Sequence, residues 1–166
     1  MQVIFTRPRK GDFLCWSIRL LTWAPYCHVA LRVQDRIFHA VTNGCLWADE
    51  QSFAQKNKIV ACFDIKLNDS QQSSLLQACK KIVGTPYDWS GVVGLGLMRL
   101  AHLVGYEMRD NPLKNNSQFM FCSELAYRVL SSLKLIPVSR SPELLDPKRF
   151  LRWLEKAKNP LIKRLF

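Results

Sequence analysis

Strand patterns and helical patterns occupy different parts of this 166-residue chain. The first 67 residues contain the runs MQVIFT, CHVALRV, RIFHAVT and KIVACFDIKL, whose branched and aromatic residues predict strands. From Asp69 onward the apolar residues recur three and four positions apart, which predicts helices. Strands first and helices after are typical of an α+β fold. The length suits one hydrophobic core, so we expect a single domain over residues 1–166.

Two of the predicted strands carry a histidine each. CHVALRV and RIFHAVT are separated only by Gln34-Asp35, which predicts an antiparallel hairpin. With a two-residue turn, Val33 faces Arg36, and His28 and His39 project from the same face as diagonal neighbours. A three-residue connection or a bulge would place the two imidazoles on opposite faces.

The second half of the chain predicts helices from Asp69 to about Gly84, over Val92–Val104, over the run FMFCSELAYRVLSSL and over about Pro147–Ala157. In the third of these, apolar residues recur at positions 122, 125, 126, 129, 130 and 133. Cys122 therefore begins the buried stripe of a strongly amphipathic helix.

Cys122 is a candidate nucleophile. The free N–H groups and the dipole at the beginning of a helix lower the pKa of a thiol, and Cys122 is the one cysteine of the six that is placed there. Its own backbone N–H would supply one donor of an oxyanion hole. The alternative is a small buried cysteine at a packing position.

A cysteine nucleophile needs a histidine that accepts its proton and later protonates the leaving group. We expect His28 to be this base and His39 to orient it, a task usually given to a carboxylate or an amide. The alternatives are half-buried strand histidines without chemistry, or a zinc site formed by both with a cysteine, which no ligand spacing supports. His102 receives no role, and we expect neither a metal nor a cofactor.

The net charge of +11, from 24 Lys and Arg against 13 Asp and Glu, favours anionic partners such as nucleic acid, lipid headgroups or acidic polymers. No nucleic-acid-binding motif accompanies the charge, so nucleic acid is not the expected partner. The basic C-terminal helix and the tail PLIKRLF suit either a membrane surface or a solvated helix face. The oligomeric state is left open.

The six cysteines form no CxxC pair, and several lie in apolar patterns, so we expect reduced thiols and a cytoplasmic protein. No signal peptide is predicted, because Asp12 and Arg19 interrupt the N-terminal apolar run. The apolar stretch Gly91–Val104 contains Arg99 and is shorter than the roughly 20 residues of a membrane span. Peripheral membrane contact stays open.

Two pairs of sequence blocks resemble the NlpC/P60 cysteine hydrolases. GTPYDWSG with FCSELAYRVL is similar to the family's GTPYxWGG and DCSGLV blocks, and KGDFLCW with CHVALRVQDRIFHAVTNGC is similar to its GDLVFF and HVGIYLGDGxxIHA blocks. The histidine block precedes the cysteine block here, which is the order of the circularly permuted branch. That branch includes the YiiX/YaeF-like proteins and, more distantly, the lecithin:retinol acyltransferase relatives.

The resemblance covers most of the chain and implies a papain-like fold with a Cys122–His28–His39 triad. It also places Tyr87 close to the active centre, where the phenol would help to hold the oxyanion or the substrate. Two residues depart from the family pattern, since Ser90 replaces a glycine and Glu124 stands in a CSE rather than a CSG block. The implied activity is cleavage of an amide or peptide bond, such as one in peptidoglycan, through an acyl-enzyme. The alternatives are a hydrolase or acyltransferase acting on lipid esters, and a non-catalytic binding protein on the same fold.

Overall fold

The structure, a computed structural model, describes residues 1–11, 13–114, 118–136, 142–157 and 159–166. The strands are β1 Gln2–Pro8, β2 His28–Val33, β3 Arg36–Val41, β4 Gly44–Asp49, β5 Asn57–Ile65 and β6 Ile162–Arg164. The helices are α1 Phe13–Thr22, α2 Glu50–Lys56, α3 Asp69–Ile82, α4 Trp89–Leu103, α5 Cys122–Ser132 and α6 Pro147–Lys156. The strands form one antiparallel sheet in the order β4-β3-β2-β1-β5-β6. The α+β prediction is confirmed.

The central hairpin has the predicted two-residue connection. Val33 pairs with Arg36 and Leu31 with Phe38, so Gln34-Asp35 is the whole turn. Gln34 adopts φ 54°, the left-handed conformation that such tight turns need. The register that places both histidines on one face is therefore confirmed.

The two faces of the sheet are covered by different helices. Side chains alternate along β2, so Val29 and Leu31 belong to the large core that contains α5, whereas Ala30 faces the other way. On that second side Phe53 of α2 covers a smaller cluster. The sheet is therefore covered on both faces, with Cys122 on the α5 side and the rings of His28 and His39 on the Phe53 side.

Helix α5 is the central element of the large core and packs against β2 and β3. Eight of its residues are buried, among them Leu125 and Leu130, which are wholly inaccessible to solvent. The predicted helical stripe is confirmed, and it extends to polar residues as well. A helix buried on nearly all sides cannot shift along its axis without disturbing every element around it.

The bounds of two other helices lie close to their predictions. Helix α4 begins at Trp89, three residues before the predicted Val92, because the carboxylate of Asp88 accepts a hydrogen bond from the Gly91 N–H and caps the helix there. Helix α3 ends at Ile82, and Gly84, which was predicted to end it, follows two residues later with a φ of 83°, as expected of a glycine that terminates a helix. On α3 the predicted apolar face is half right, since Leu75 is buried whereas Leu76 is 38% exposed.

The sequence did not predict β4, α2 or β6. The first two follow β3 through a turn at Gly44, where a side chain would meet the Thr85 carbonyl oxygen at 2.7 Å. The tail segment PLIKRLF, expected on a membrane surface or a solvated helix face, instead supplies β6, which pairs with β5 at the edge of the sheet. Asp12, part of the quoted block KGDFLCW, lies outside the described residues.

Cys15 and Cys27 form a disulfide that joins α1 to the beginning of β2. The expectation of reduced thiols is wrong for this pair, because α1 brings their Cα atoms to 5.2 Å, a separation that a disulfide spans. Cys45, Cys62, Cys79 and Cys122 are free and buried. Disulfides are typical of oxidising compartments. The cytoplasmic location stays a prediction, and no described helix is long and apolar enough to span a membrane.

Two neighbouring leucines on α3 test its packing. Leu75→Ala removes a side chain that is 1% exposed, so we expect a loss of about 2–5 kcal/mol in the free energy of unfolding. Leu76→Ala on the same helix should cost less than about 1 kcal/mol, because Leu76 already contacts water. Urea denaturation of both variants measures the difference, and equal losses would contradict the described face.

Candidate functional site

The beginning of α5 has no side-chain cap, unlike the beginnings of four other helices. Its N-cap residue is Phe121, which offers no side-chain acceptor, whereas α2, α3, α4 and α6 each begin with an Asp or Asn whose side chain accepts a backbone N–H. The first N–H groups of an α-helix have no partner within the helix. Those at the start of α5 therefore remain as donors beside Cys122, the first helical residue.

The sulfur of Cys122 lies against the backbone of β2. Burial raises the pKa of the Cys122 thiol to about 11, although hydrogen bonds from the backbone N–H groups of Val29 and Ser123 act in the opposite direction. Cys122 is only 3% exposed. The resting group is therefore a neutral thiol already surrounded by the donors that would stabilise a thiolate.

The two strand histidines contact each other, as the hairpin register predicts. His28 Nε2 and His39 Nδ1 are 3.2 Å apart, a hydrogen-bond distance, and both rings lie against Phe53 with ring-centre distances of 6.4 and 5.3 Å. Burial, and then the neighbouring His39, lower the pKa of His28 to about 3, and burial lowers the pKa of His39 to about 4. Both imidazoles are neutral at pH 7.

The hydrogen bond between the imidazoles restricts their tautomers. When His28 donates from Nε2 to His39 Nδ1, the remaining nitrogen of His28, Nδ1, carries a free lone pair. Nδ1 is the ring nitrogen closer to the backbone, and the next backbone N–H along the strand, that of Val29, is the one that bonds to the Cys122 sulfur. Among the described residues, no hydrogen bond joins the sulfur to either imidazole.

Tyr87 lies beside the same site. The segment that contains Tyr87 pairs with the residues before Cys122, because the Met120 N–H donates to the Pro86 carbonyl and the Asp88 N–H donates to the Met120 carbonyl. The Tyr87 ring packs edge-on against Trp89 and is 8% exposed. The GTPY block and the cysteine block are therefore joined directly by backbone hydrogen bonds, and Tyr87 and Cys122 line the same cavity.

A buried network of charges holds the beginning of α5, and the sequence did not predict it. Glu124 is wholly inaccessible and accepts bonds from Lys114 Nζ at 2.7 Å and from Arg128 Nη2 at 2.7 Å. Lys114 Nζ also bonds to Asp88 Oδ2, the cap of α4, at 2.9 Å. Asp88 has a local signal, an Asp directly before a helical pattern, but Lys114 stands in a polar loop without any.

Two cavities adjoin the candidate residues. The first, of about 350 Å³, contains Cys122 and is lined chiefly by apolar side chains of α1 and α4, among them Ile18, Leu97 and Leu100. The second, of about 160 Å³, contains His28 and His39. Ile18, Cys27 and Tyr87 line both cavities, so these three residues form the wall between the thiol and the imidazoles.

Comparison with known proteins shows the fold. No protein-family model matches this chain, and no curated protein sequence matches it. The crystal structure of the metalloprotein YiiX from Escherichia coli O157:H7 is similar to it with a TM-score of 0.61. The alignment covers 99% of this chain and 94% of the YiiX chain, at 16% sequence identity. The chain therefore shares the overall fold of YiiX from end to end.

The histidine pair makes stability depend on pH. Both folded-state pKa values lie below the usual 6.5, so the unfolded chain binds more protons as the pH falls from about 6.5 to about 4 for His39 and to about 3 for His28. The stabilisation is complete above pH 6.5 and is lost through this window. We expect the free energy of unfolding to fall by up to about 1.4 kcal/mol per pH unit for each imidazole that is protonated only on unfolding.

Urea denaturation across this pH range measures the effect. As the pH falls, the free energy of unfolding of the double variant His28→Gln/His39→Gln should decrease less than that of the natural chain. The variant His102→Gln, which changes an exposed histidine, should behave like the natural chain. Parallel curves for the double variant and the natural chain would contradict the neutral, buried state of the pair.

Proposed function

We propose that this protein is a thiol-dependent acyl hydrolase with Cys122 as nucleophile, His28 as general base and His39 as the residue that orients His28. The observation that supports the proposal best is the position of Cys122. Cys122 is the first residue of a helix that has no side-chain cap, its sulfur accepts backbone hydrogen bonds, and it lines an apolar cavity. A buried cysteine with a purely packing role has no need of these three properties together.

The first step is attack on a carbonyl. His28 Nδ1 takes the thiol proton as the sulfur forms its bond to the carbonyl carbon, and the carbonyl electron pair moves to the oxygen. The low pKa of His28 and the high pKa of Cys122 mean that the proton moves with the attack, not before it. The His28 ring lies on the Phe53 side of the sheet, whereas Cys122 belongs to the core on the other side. The proposed step therefore requires the imidazole to turn around the beginning of β2, where His28 is the first residue, towards the sulfur.

The oxyanion accepts hydrogen bonds from backbone N–H groups at the start of α5, including that of Cys122, which bonds to the Cys122 sulfur in the resting state. His28 then returns its proton to the leaving amine or alcohol, whose bond to carbon breaks, and an acyl-enzyme remains. Water, deprotonated by His28, releases the acid and restores the thiol. Tyr87, which lines both cavities, is placed to position the substrate.

The lining of the cavity favours an apolar acyl group. Ile18, Leu97 and Leu100 offer no partner to the backbone amides of a peptide, whereas burial of hydrocarbon against them is favourable. Of the alternatives open from the sequence, an amide or ester of a fatty acid therefore fits this site better than a peptidoglycan peptide. Transfer of the acyl group to another alcohol or amine would use the same intermediate.

The proposal assigns no metal to this chain, although the similar structure of YiiX is described as a metalloprotein. The described residues contain no cluster of three or more His, Cys, Asp or Glu side chains able to hold an ion. His28 and His39 already bond to one another. Membership of the permuted NlpC/P60 branch is likewise part of the proposal and is supported by the sequence blocks and the shared fold.

Kinetics with a medium-chain p-nitrophenyl ester test the proposal. Cys122→Ala should abolish turnover, and His28→Ala should lower kcat/KM by about 10²–10⁴, the usual contribution of a general base. His102→Ala is the matched control and should keep full activity, because His102 is exposed. Equal losses in the two histidine variants, or turnover by Cys122→Ala, would contradict the assignment.

The acyl chain length in the same assay separates the substrate classes. Each added methylene that enters the cavity contributes about 0.8 kcal/mol, so kcat/KM should rise up to about fourfold per methylene until the cavity is full. A flat series, together with cleavage of peptide anilides, would favour a peptide substrate instead.

A further inference from the structure

We propose that an exposed apolar surface formed by α1 and α4 binds the surface of an anionic lipid bilayer. We call it the α1–α4 face. The sequence pointed to the C-terminal tail as a candidate for membrane contact, but that tail pairs with the sheet. The α1–α4 face lies elsewhere on the molecule, and binding there does not depend on the chemistry proposed at Cys122.

Helix α1 presents large apolar side chains to solvent along one side. Phe13, Trp16 and Leu20 are 82%, 57% and 55% exposed, and Trp23, directly after the helix, is 80% exposed. Their spacing of three, four and three residues places them in a single stripe. The rings of Phe13 and Trp16 stack on each other with their centres 6.2 Å apart. Such a stripe is costly in water unless something covers it.

Helix α4 presents a second stripe. Val93, Leu97 and Leu100 are 54%, 43% and 51% exposed, and Val104 at the end of the helix is 82% exposed. Their spacing of four, three and four residues again selects one side of a helix. The buried side of α4 is occupied instead by glycines and Met98, so the larger branched side chains are those that face outward.

The two stripes belong to one surface. Helix α1 packs against α4, and the cavity that contains Cys122 is lined by Ile18 of α1 and by Val93, Leu97 and Leu100 of α4. The outward-facing residues of α4 therefore line the same cavity as α1. A continuous apolar surface of two helices, with a cavity between them, is typical of sites that bind a membrane or another protein.

Charge at the ends of α1 favours a membrane. Trp16 lines a depression together with Arg7, Arg9, Lys10 and Lys58. At the other end, Lys148 Nζ donates to the Trp23 carbonyl at 3.1 Å. Tryptophan between apolar and basic side chains is the composition of segments that insert shallowly at the boundary of lipid headgroups and acyl chains. The net charge of +11 adds attraction to anionic lipids over a longer range.

A second copy of the chain fits this surface less well. In a two-fold dimer the same surface lies on both partners, so the basic groups beside Trp16 would be brought towards an equally basic partner. Such contacts between like charges are unfavourable. An anionic bilayer offers complementary charge together with an apolar layer.

Co-sedimentation of the 166-residue chain with vesicles tests the proposal. We expect binding to mixed phosphatidylcholine and phosphatidylglycerol vesicles, and much weaker binding to pure phosphatidylcholine. Trp16→Ser/Trp23→Ser should weaken binding at least about tenfold, because two interfacial anchors are lost. Phe166→Ser is the matched control, since Phe166 is 59% exposed in the C-terminal tail, and its binding should be unchanged. Circular dichroism verifies that the variants are folded.

A second pair of variants separates local charge from net charge. Lys10→Gln/Lys58→Gln should weaken binding to the anionic vesicles about fivefold for each lysine, because each lies beside Trp16. Lys80→Gln/Lys81→Gln removes the same charge from the exposed end of α3 and should have a much smaller effect. Leu20→Ser provides a milder apolar change.

Three outcomes would overturn the proposal. The first is that the chain with its natural sequence does not bind the anionic vesicles. The second is equal weakening by the two lysine pairs, which would show attraction by net charge alone. The third is self-association in solution that Trp16→Ser/Trp23→Ser abolishes while vesicle binding is unaffected, which would identify the α1–α4 face as an interface between copies.

Discussion

The buried carboxylate of Glu124 imposes the constraint on which the arrangement of the site depends. A carboxylate without solvent contact must be paired, and here Lys114 and Arg128 pair with it. Lys114 also bonds to Asp88, which caps α4, so one ammonium group connects the beginnings of α4 and α5. Removing one partner from such a network leaves an uncompensated charge and costs about 3–5 kcal/mol. The position of Cys122, two residues before Glu124, is therefore fixed from outside its own helix.

The same burial determines the chemistry that the site can perform. Exclusion of water keeps both the Cys122 thiol and the His28 imidazole neutral at pH 7, with pKa values of about 11 and about 3. A preformed ion pair is therefore not the resting state, and proton transfer must accompany attack on the substrate. Backbone donors at the uncapped start of α5 are in place for the negative charge when it develops. In the proposed reaction, the apolar lining of the cavity favours a substrate whose acyl group displaces water from it.

The local sequence pattern was sufficient to predict the helices and strands whose apolar residues recur with a strong period. The hairpin register followed from the two-residue connection, and that register correctly placed His28 beside His39. Strand β6 was missed because a three-residue edge strand is formed by pairing with β5 and has little signal of its own. The disulfide of Cys15 and the salt bridges of Lys114 were missed for the related reason that their partners are distant in sequence. Tertiary contacts of this kind leave no periodic trace.

The covalent intermediate is the most direct test of the proposed chemistry at Cys122. The protein is mixed with a medium-chain acyl ester, quenched in acid, digested and mapped by mass spectrometry, with the four free cysteines Cys45, Cys62, Cys79 and Cys122 compared in one sample. We expect the acyl mass on Cys122 alone, and we expect its formation to slow markedly in His28→Ala but not in His102→Ala. An acyl group on another residue, or formation that does not respond to His28→Ala, would contradict the account.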